Sequence, residues 1–351
     1  MTDRSTSGGS TTDGAASDES NPVRPQVVEM QGAAGGAERA GSDARERAPD
    51  AATPQIGRIR PDPVTQATDL PLDSHLHTTR SPDANVPLEA YARAAHERRI
   101  AELAITDHVD FDPRRPAYAF STFAEREREV RDAAERWADR GVAIRFGVEV
   151  TYQRAYEDDI RAYLRRHPYD FVIGSVHIGP DDPYTSERVG SFVAGRSLRD
   201  IVAPYFDEVL ETARSGLFDT LGHLDFVKRY LYPHVTPADL AAAPELYEPL
   251  LRALVESGTA LEVNASGLRQ AANETYPSAA IVARFRELGG RHVTAGSDAH
   301  LESSFAFGLR EAYGHARQAG FRQLAFRRGG ERVAVALPGT ESPNATVDLS
   351  L

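Results

Sequence analysis

Leu70-Pro71-Leu72-Asp73-Ser74-His75-Leu76-His77 is a short apolar run that ends in a comb of imidazole and carboxylate side chains, and its reading decides the fold. Residues two apart on a strand share a face, so Asp73, His75 and His77 point the same way. Similar junctions recur down the chain as Thr106-Asp107-His108, Gly147-Val148-Glu149, Ser175-Val176-His177, Gly222-His223-Leu224-Asp225 and Ser297-Asp298-Ala299-His300. Each closes a β-branched or apolar run. The runs predict strands over 70–75, 101–106, 143–150, 170–176, 218–222, 260–264 and 292–296.

Between most of these runs lie stretches of helical period, over 87–98, 121–140, 156–166, 198–215, 244–257, 278–288 and 304–318. In the second, Thr122 and Glu125 make a capping box, Val130, Ala133, Ala134 and Trp137 form the apolar stripe, and Gly141 stops the helix. Strand alternating with helix seven times implies a parallel sheet that closes into a distorted seven-stranded (β/α)7 TIM-like barrel. Residues 323–337 differ: they read as a hairpin around Arg328-Gly329-Gly330-Glu331 that caps the barrel or extends its edge.

The two ends are unlike the middle. Residues 1–50 contain no Leu, Ile, Phe, Tyr or Trp, so they bury too little apolar surface to offset chain entropy. A disordered N-terminal extension is expected over 1–65, a folded unit over 66–337 and a flexible C-terminal tail over 338–351. No uninterrupted apolar segment opens the chain, which points to a cytoplasmic protein with no membrane partner. The formal net charge of −12 argues against nucleic acid as a partner, and oligomeric state is not legible. With zero cysteines, any metal must be held by nitrogen and oxygen.

The candidate ligands are His75, His77, Asp83, His108, Glu149, His177, His223, Asp298 and His300, collected at the carboxyl ends of strands. A lone histidine beside a strand is more often a satisfied core group than a ligand. The ordered series is different, because core packing does not explain six of the eleven histidines at strand ends. Nine ligands suit three divalent ions, with zinc, manganese, iron or cobalt all compatible and Glu149 as a bridge. His96, His167, His234, His292 and His315 read as structural or surface groups. Together the residues imply a metal-dependent hydrolase.

These motifs resemble the polymerase and histidinol phosphatase superfamily, PHP, over about residues 70–325. The stretches Ser175-Val176-His177-Ile178-Gly179, Gly222-His223-Leu224-Asp225-Phe226-Val227-Lys228-Arg229-Tyr230 and Glu262-Val263-Asn264-Ala265-Ser266-Gly267-Leu268-Arg269 are most similar to its monofunctional histidinol-phosphate phosphatases. The resemblance implies a trinuclear site in which His75, His77, Glu149 and Asp298 hold one ion. It assigns Asp83, His108 and the bridging Glu149 to a second, and His177, His223 and His300 to a third. The activity implied is hydrolysis of a small-molecule phosphate monoester, L-histidinol phosphate, by a metal-bridging hydroxide, with Glu149 and Asp298 catalytic.

Arg269 is the first choice for gripping phosphate, through a bidentate guanidinium, ahead of Lys228 and Arg229. Lys228 is the only lysine among 40 basic residues, which asks what a compact ammonium does there. The general acid is open between Asp225 and the pair Asp110 and Asp112. Asp110, Phe111, Asp112 and Tyr118 form a candidate lid loop. Two other readings share the ligands: a phosphoesterase for nucleotides or for cyclic or oligonucleotide phosphodiesters, and a metal-stabilised module without chemistry.

Overall fold

The computed structural model describes residues 70–340 and the backbone of Arg60 and Pro61. Seven parallel strands follow one another in chain order: β1 Leu72–Leu76, β2 Glu102–Ile105, β3 Ala143–Thr151, β4 Phe171–Ser175, β5 Thr220–Leu221, β6 Ala260–Asn264 and β7 Val293–Gly296. Leu72 pairs with Glu102, Glu102 with Ala143, Gly147 with Phe171, Ile173 with Thr220, Thr220 with Ala260, and Leu261 with Val293. The seam between β1 and the chain after β7 closes where Asp298 N donates to His75 O at 2.9 Å and His77 N to Ala299 O at 3.0 Å.

The main helices are α1 Leu88–Arg98, α2 Phe123–Ala138, α3 Glu157–Arg166, α4 Leu198–Ser215, α5 Pro244–Ser257, α6 Ala279–Glu287 and α7 Leu309–Gln318. On α1 the buried Leu88, Tyr91, Ala92 and Ala95 recur at helical spacing, so one face meets the barrel. The Tyr91 hydroxyl spans the seam, placed 3.0 Å from His77 O and 2.8 Å from Ala299 O. The capping box at Thr122 and Glu125 is present, and Val130, Ala133 and Trp137 are buried.

Two boundaries depart from expectation. β5 keeps only two of its five expected residues. The last helix starts at Leu309, not Ser304, because Glu302–Ser304 form a 3-10 turn and Gly308 takes φ 71° at the N-cap. A Cβ at Gly308 would meet Leu268 at 2.6 Å, so this stop is built into the packing.

The hairpin, β8 Gln323–Arg328 and β9 Glu331–Ala336, belongs to a separate sheet and caps the amino end of the barrel instead of extending its edge. Phe326 packs against Phe171 with ring centroids 4.8 Å apart and planes tilted by 47°, a burial that contributes about 2–3 kcal/mol. Arg60 and Pro61, inside the stretch expected to be disordered, pair in parallel with Val333 and Ala334. The first three residues of the expected tail are tied down, with Thr340 Oγ1 donating to Leu337 O at 2.6 Å. The remainder of 1–65 and 341–351 lie outside the described residues. Among the described residues no helix is long and apolar enough to cross a membrane.

Candidate metal centre

The carboxyl ends of β1, β3, β4, β5 and β7, with the loop after β2, deliver all nine expected ligands to one mouth. Glu149, fully buried, sits at the centre. Its Oε2 lies 3.3 Å from both His75 Nε2 and His77 Nε2 and 3.0 Å from His108 Nδ1. Its Oε1 lies 2.9 Å from His223 Nε2 and 3.4 Å from His177 Nε2. Asp298 Oδ1 is 3.7 Å from His75 Nε2 and 3.4 Å from His77 Nε2. Asp298 takes φ 52°, a left-handed backbone that an acid tolerates and that recurs at functional sites.

One expectation is corrected. His300 was grouped with His177 and His223, but its Nε2 lies 3.4 Å from Asp83 Oδ2, which is also 3.5 Å from His108 Nε2. Rings explain the placement: His77 stacks between His108 and His300, at 4.2 Å from each. Asp83, His108 and His300 thus form one set, while His177 and His223 share the other side of Glu149.

The imidazoles are turned for coordination. His75 Nδ1 is 2.7 Å from Glu262 Oε1, an acceptor, so Nδ1 carries a proton and, in the neutral ring, Nε2 presents its lone pair. Ser81 Oγ donates to Asp107 Oδ1 at 2.9 Å, which leaves it to accept from His77 Nδ1 at 3.3 Å and His108 N at 3.0 Å. His300 Nδ1 lies 3.1 Å from Asp298 O, and His177 Nδ1 3.0 Å from Thr151 Oγ1. The Nε2 atoms of His75 and His77 and Oε2 of Glu149 are buried without a hydrogen-bond partner. Buried polar atoms are normally satisfied, so this convergent group fits a cation.

Electrostatics agree. Burial pushes the Glu149 carboxyl up, but the His75, His177 and His108 charges outweigh it and hold it well below the usual carboxylate range. Asp298 behaves alike, with burial overcome by the neighbouring His75 and His77 rings. Burial depresses His75, yet Glu262, Glu149 and Asp298 together raise it well above the ordinary imidazole value. Burial, then His300 and His108, drives His77 well below it. Without a cation the cluster must trap protons; with one, all its imidazoles can be neutral ligands.

Asp73 completes the comb but is consumed structurally, accepting from Ser297 N at 2.9 Å and Ser297 Oγ at 2.6 Å. Burial, moderated by those bonds, pushes it up to about 6.

The expected phosphate contacts are rearranged. Arg269 donates through Nη1 to Ser297 O and through Nη2 to Asp298 O, both at 2.9 Å, so it holds the ligand loop first. Lys228 is not a phosphate contact: it is 1% exposed, and its Nζ is 2.8 Å from Asp225 Oδ2, 2.9 Å from Glu274 Oε2 and 3.1 Å from Thr275 O. Three acceptors take its three donors. Arg229 is exposed, and its guanidinium lies over two rings, 5.7 Å from that of Phe226 and 5.8 Å from that of Tyr230. Its charge is near enough to Arg269 to lower that guanidinium's pKa slightly, after the larger effect of burial.

Of the acid candidates, Asp112 is clasped by Arg114 at 2.7 Å and held below the usual range by that bond. Asp225 is fully buried, and desolvation raises it against the opposing pull of Lys228. The loop after His108 does reach the mouth. It does so through Arg115, unmarked in the sequence reading, whose Nη2 donates to His177 O at 3.0 Å.

Glu262 and Asn264 were also missed as individual residues. An acid and an amide two apart at the end of β6 was the available signal.

Comparison with known proteins agrees with this geometry. Residues 73–266 match the model of the PHP domain. The chain belongs to the PHP family. The probable histidinol-phosphatase of Deinococcus radiodurans is 32% identical over 262 residues, spanning 73% of this PHP chain and 96% of the relative. The histidinol-phosphatase of Lactococcus lactis is 27% identical over 257 residues, or 72% and 93% of the two chains. The crystal structure of histidinol phosphate phosphatase from Lactococcus lactis, complexed with zinc, L-histidinol and phosphate, superposes with a TM-score of 0.65 at 25% identity. It covers 75% of this chain and 98% of that one. The PHP barrel described here is thus a site for divalent metal.

Proposed function

We propose that this chain is a metal-dependent phosphatase that hydrolyses L-histidinol phosphate to L-histidinol and phosphate. The observation that carries the reading is the convergence of unpartnered, buried Nε2 and Oε2 atoms of His75, His77 and Glu149 at the mouth of a PHP barrel. Similarity to histidinol-phosphatases over nearly their whole length supports the substrate. Cytoplasmic work on a small molecule, without nucleic acid or membrane, belongs to the same proposal.

In this reading three ions are held. His75, His77, Asp298 and Glu149 take one, Glu149, His177 and His223 a second, and Asp83, His108 and His300 a third. Zinc, manganese, iron and cobalt all suit such a donor set. When bound, divalent ions lower the pKa of water and neutralise phosphoryl oxygens.

The chain's own groups do the rest. Glu149 and Asp298 stay anionic and so remain ligands over the working range. Arg229, with no competing polar partner among the described residues, grips the phosphoryl group, and Arg269 keeps Asp298 in place while lending its charge. Asp225, raised by burial, is the retained candidate for protonating the leaving alkoxide.

The test pairs metal analysis of the purified protein with phosphate release from histidinol phosphate, nucleoside monophosphates and a bis-aryl phosphodiester. Preference for histidinol phosphate supports the proposal. Faster turnover of the nucleotides or the diester replaces it with the broader phosphoesterase reading, and stoichiometric metal without turnover with the non-catalytic one.

A further inference from the structure

The strand β6 supplies none of the nine candidate ligands, yet it touches three of them. Glu262 and Asn264, two apart, both face the barrel interior and are fully buried. Glu262 Oε1 lies 2.7 Å from His75 Nδ1, while Oε2 accepts from His223 N at 2.9 Å and Asn264 Nδ2 at 3.0 Å. Asn264 Nδ2 is also 3.3 Å from Asp298 Oδ2.

The carboxylate has no room to drift. A Cβ on Gly296 would sit 2.9 Å from Oε1 and 2.2 Å from His75 Cβ, and one on Gly222 would sit 3.5 Å from Oε2. Glycine at 296 is therefore what lets the acid and the imidazole approach.

This acid has no arginine or lysine beside it among the described residues. A buried carboxylate without a fixed cation is a poor stabiliser, and an apolar residue of that size would serve the core better. Its placement makes sense through its partners. One oxygen sets the proton on the His75 ring, and the other sets the main chain at His223, whose φ is 20°. His75 stands on the Asp298 side of Glu149 and His223 on the opposite side.

We propose that Glu262 is the positioning residue that makes these two ion sites load as one unit, an inference that rests on the metal-centre reading above. Glu149 joins the same sites by direct ligation; Glu262 joins them from behind, without meeting an ion. Carboxylates that hold a ligating histidine typically change metal affinity by about 10- to 100-fold.

The experiment uses the purified full chain and its Glu262→Gln and Glu262→Asp variants. Metal per chain is measured after dialysis against a competing chelator, with the visible spectrum of the cobalt-substituted protein and kcat and KM at rising zinc. The expected result is joint loss of two ions from Glu262→Gln, with affinity lower by about 10- to 100-fold, and shifted cobalt bands. Excess metal should then restore kcat at near wild-type KM. Glu262→Asp keeps the charge but withdraws it from His75, and should shift the same readouts the same way.

Retention of wild-type metal content and cobalt spectrum by both variants overturns the proposal, as does loss of one ion alone. Metal-free variants that unfold far below the metal-free parent also overturn it, since the effect would then be general destabilisation. A parent protein that binds no stoichiometric metal sinks the underlying metal-centre reading instead.

Discussion

The two ends of the barrel bury acids in opposite ways. At the amino ends of the strands each buried acid among the described residues has an arginine. Glu102 lies 2.6 Å from Arg145 Nε and 2.8 Å from Arg328 Nε, Asp170 lies 2.6 Å from Arg131 Nη1, and Asp219 pairs with Arg327. At the carboxyl ends Asp225 pairs with Lys228, but the carboxylates of Glu149, Asp298 and Glu262 meet imidazoles and amides. Arginine keeps its charge at any working pH, so the bottom is neutralised from within the chain. Imidazole does not, so the mouth is left for an outside cation to neutralise. Burial alone does not distinguish a structural acid from a working one; the identity of the compensating group does.

The largest break in this contrast comes from Glu149→Gln. Phosphate release from the substrate ester should fall by roughly 1,000-fold, the scale for losing one preorganised electrostatic group, with the far-ultraviolet circular dichroism spectrum unchanged. Activity within tenfold of the parent would mean that the central acid is not what the mouth is built around.

Acid should act on the histidines of the mouth. His75 and His223 are held above the ordinary imidazole value in the ion-free protein, with burial outweighed by their carboxylate neighbours. Their contribution to ion-free stability is fully present below the unfolded value near 6.5 and is lost as pH rises through the folded values. Metal binding needs them neutral, so affinity should move the other way, falling about tenfold per pH unit for each proton displaced below that range. Metal titrations between pH 6 and 8 check this, and a flat profile would contradict it.

Glu102→Gln tests the other end. It removes the acid that Arg145 and Arg328 share, and because both arginines are partly solvated the cost should be about 2 kcal/mol in denaturant unfolding. Metal content and kcat should not change. The smallest effect belongs to neither end: Thr122→Ala removes the capping box of α2 and should cost about 1 kcal/mol with the site untouched.

Most of the barrel was legible because its strands and helices have different periods and their caps are local signals. The convergence of the nine candidate ligands was legible because the mouth of a barrel converts order along the chain into proximity. Their pairing was not. Whether His300 meets Asp83 or His177 depends on how the 78–86 loop folds over β1, a three-dimensional fact that spacing does not carry. Glu262 went unrecognised individually because a residue that acts through a neighbour has no motif of its own. Lys228 was noticed for its rarity, but its three acceptors come from two loops, one of them more than forty residues away. The hairpin was legible as a hairpin; that it caps the barrel required Phe326 to find Phe171.

The burial of Lys228 has a practical consequence. Reagents selective for primary amines find no lysine on the folded barrel, because the single one in the sequence is sealed between Asp225, Glu274 and Thr275. Acylation of that ε-amine therefore works as a clock for separation of the 223–231 and 265–278 loops, readable by mass spectrometry without any engineered label.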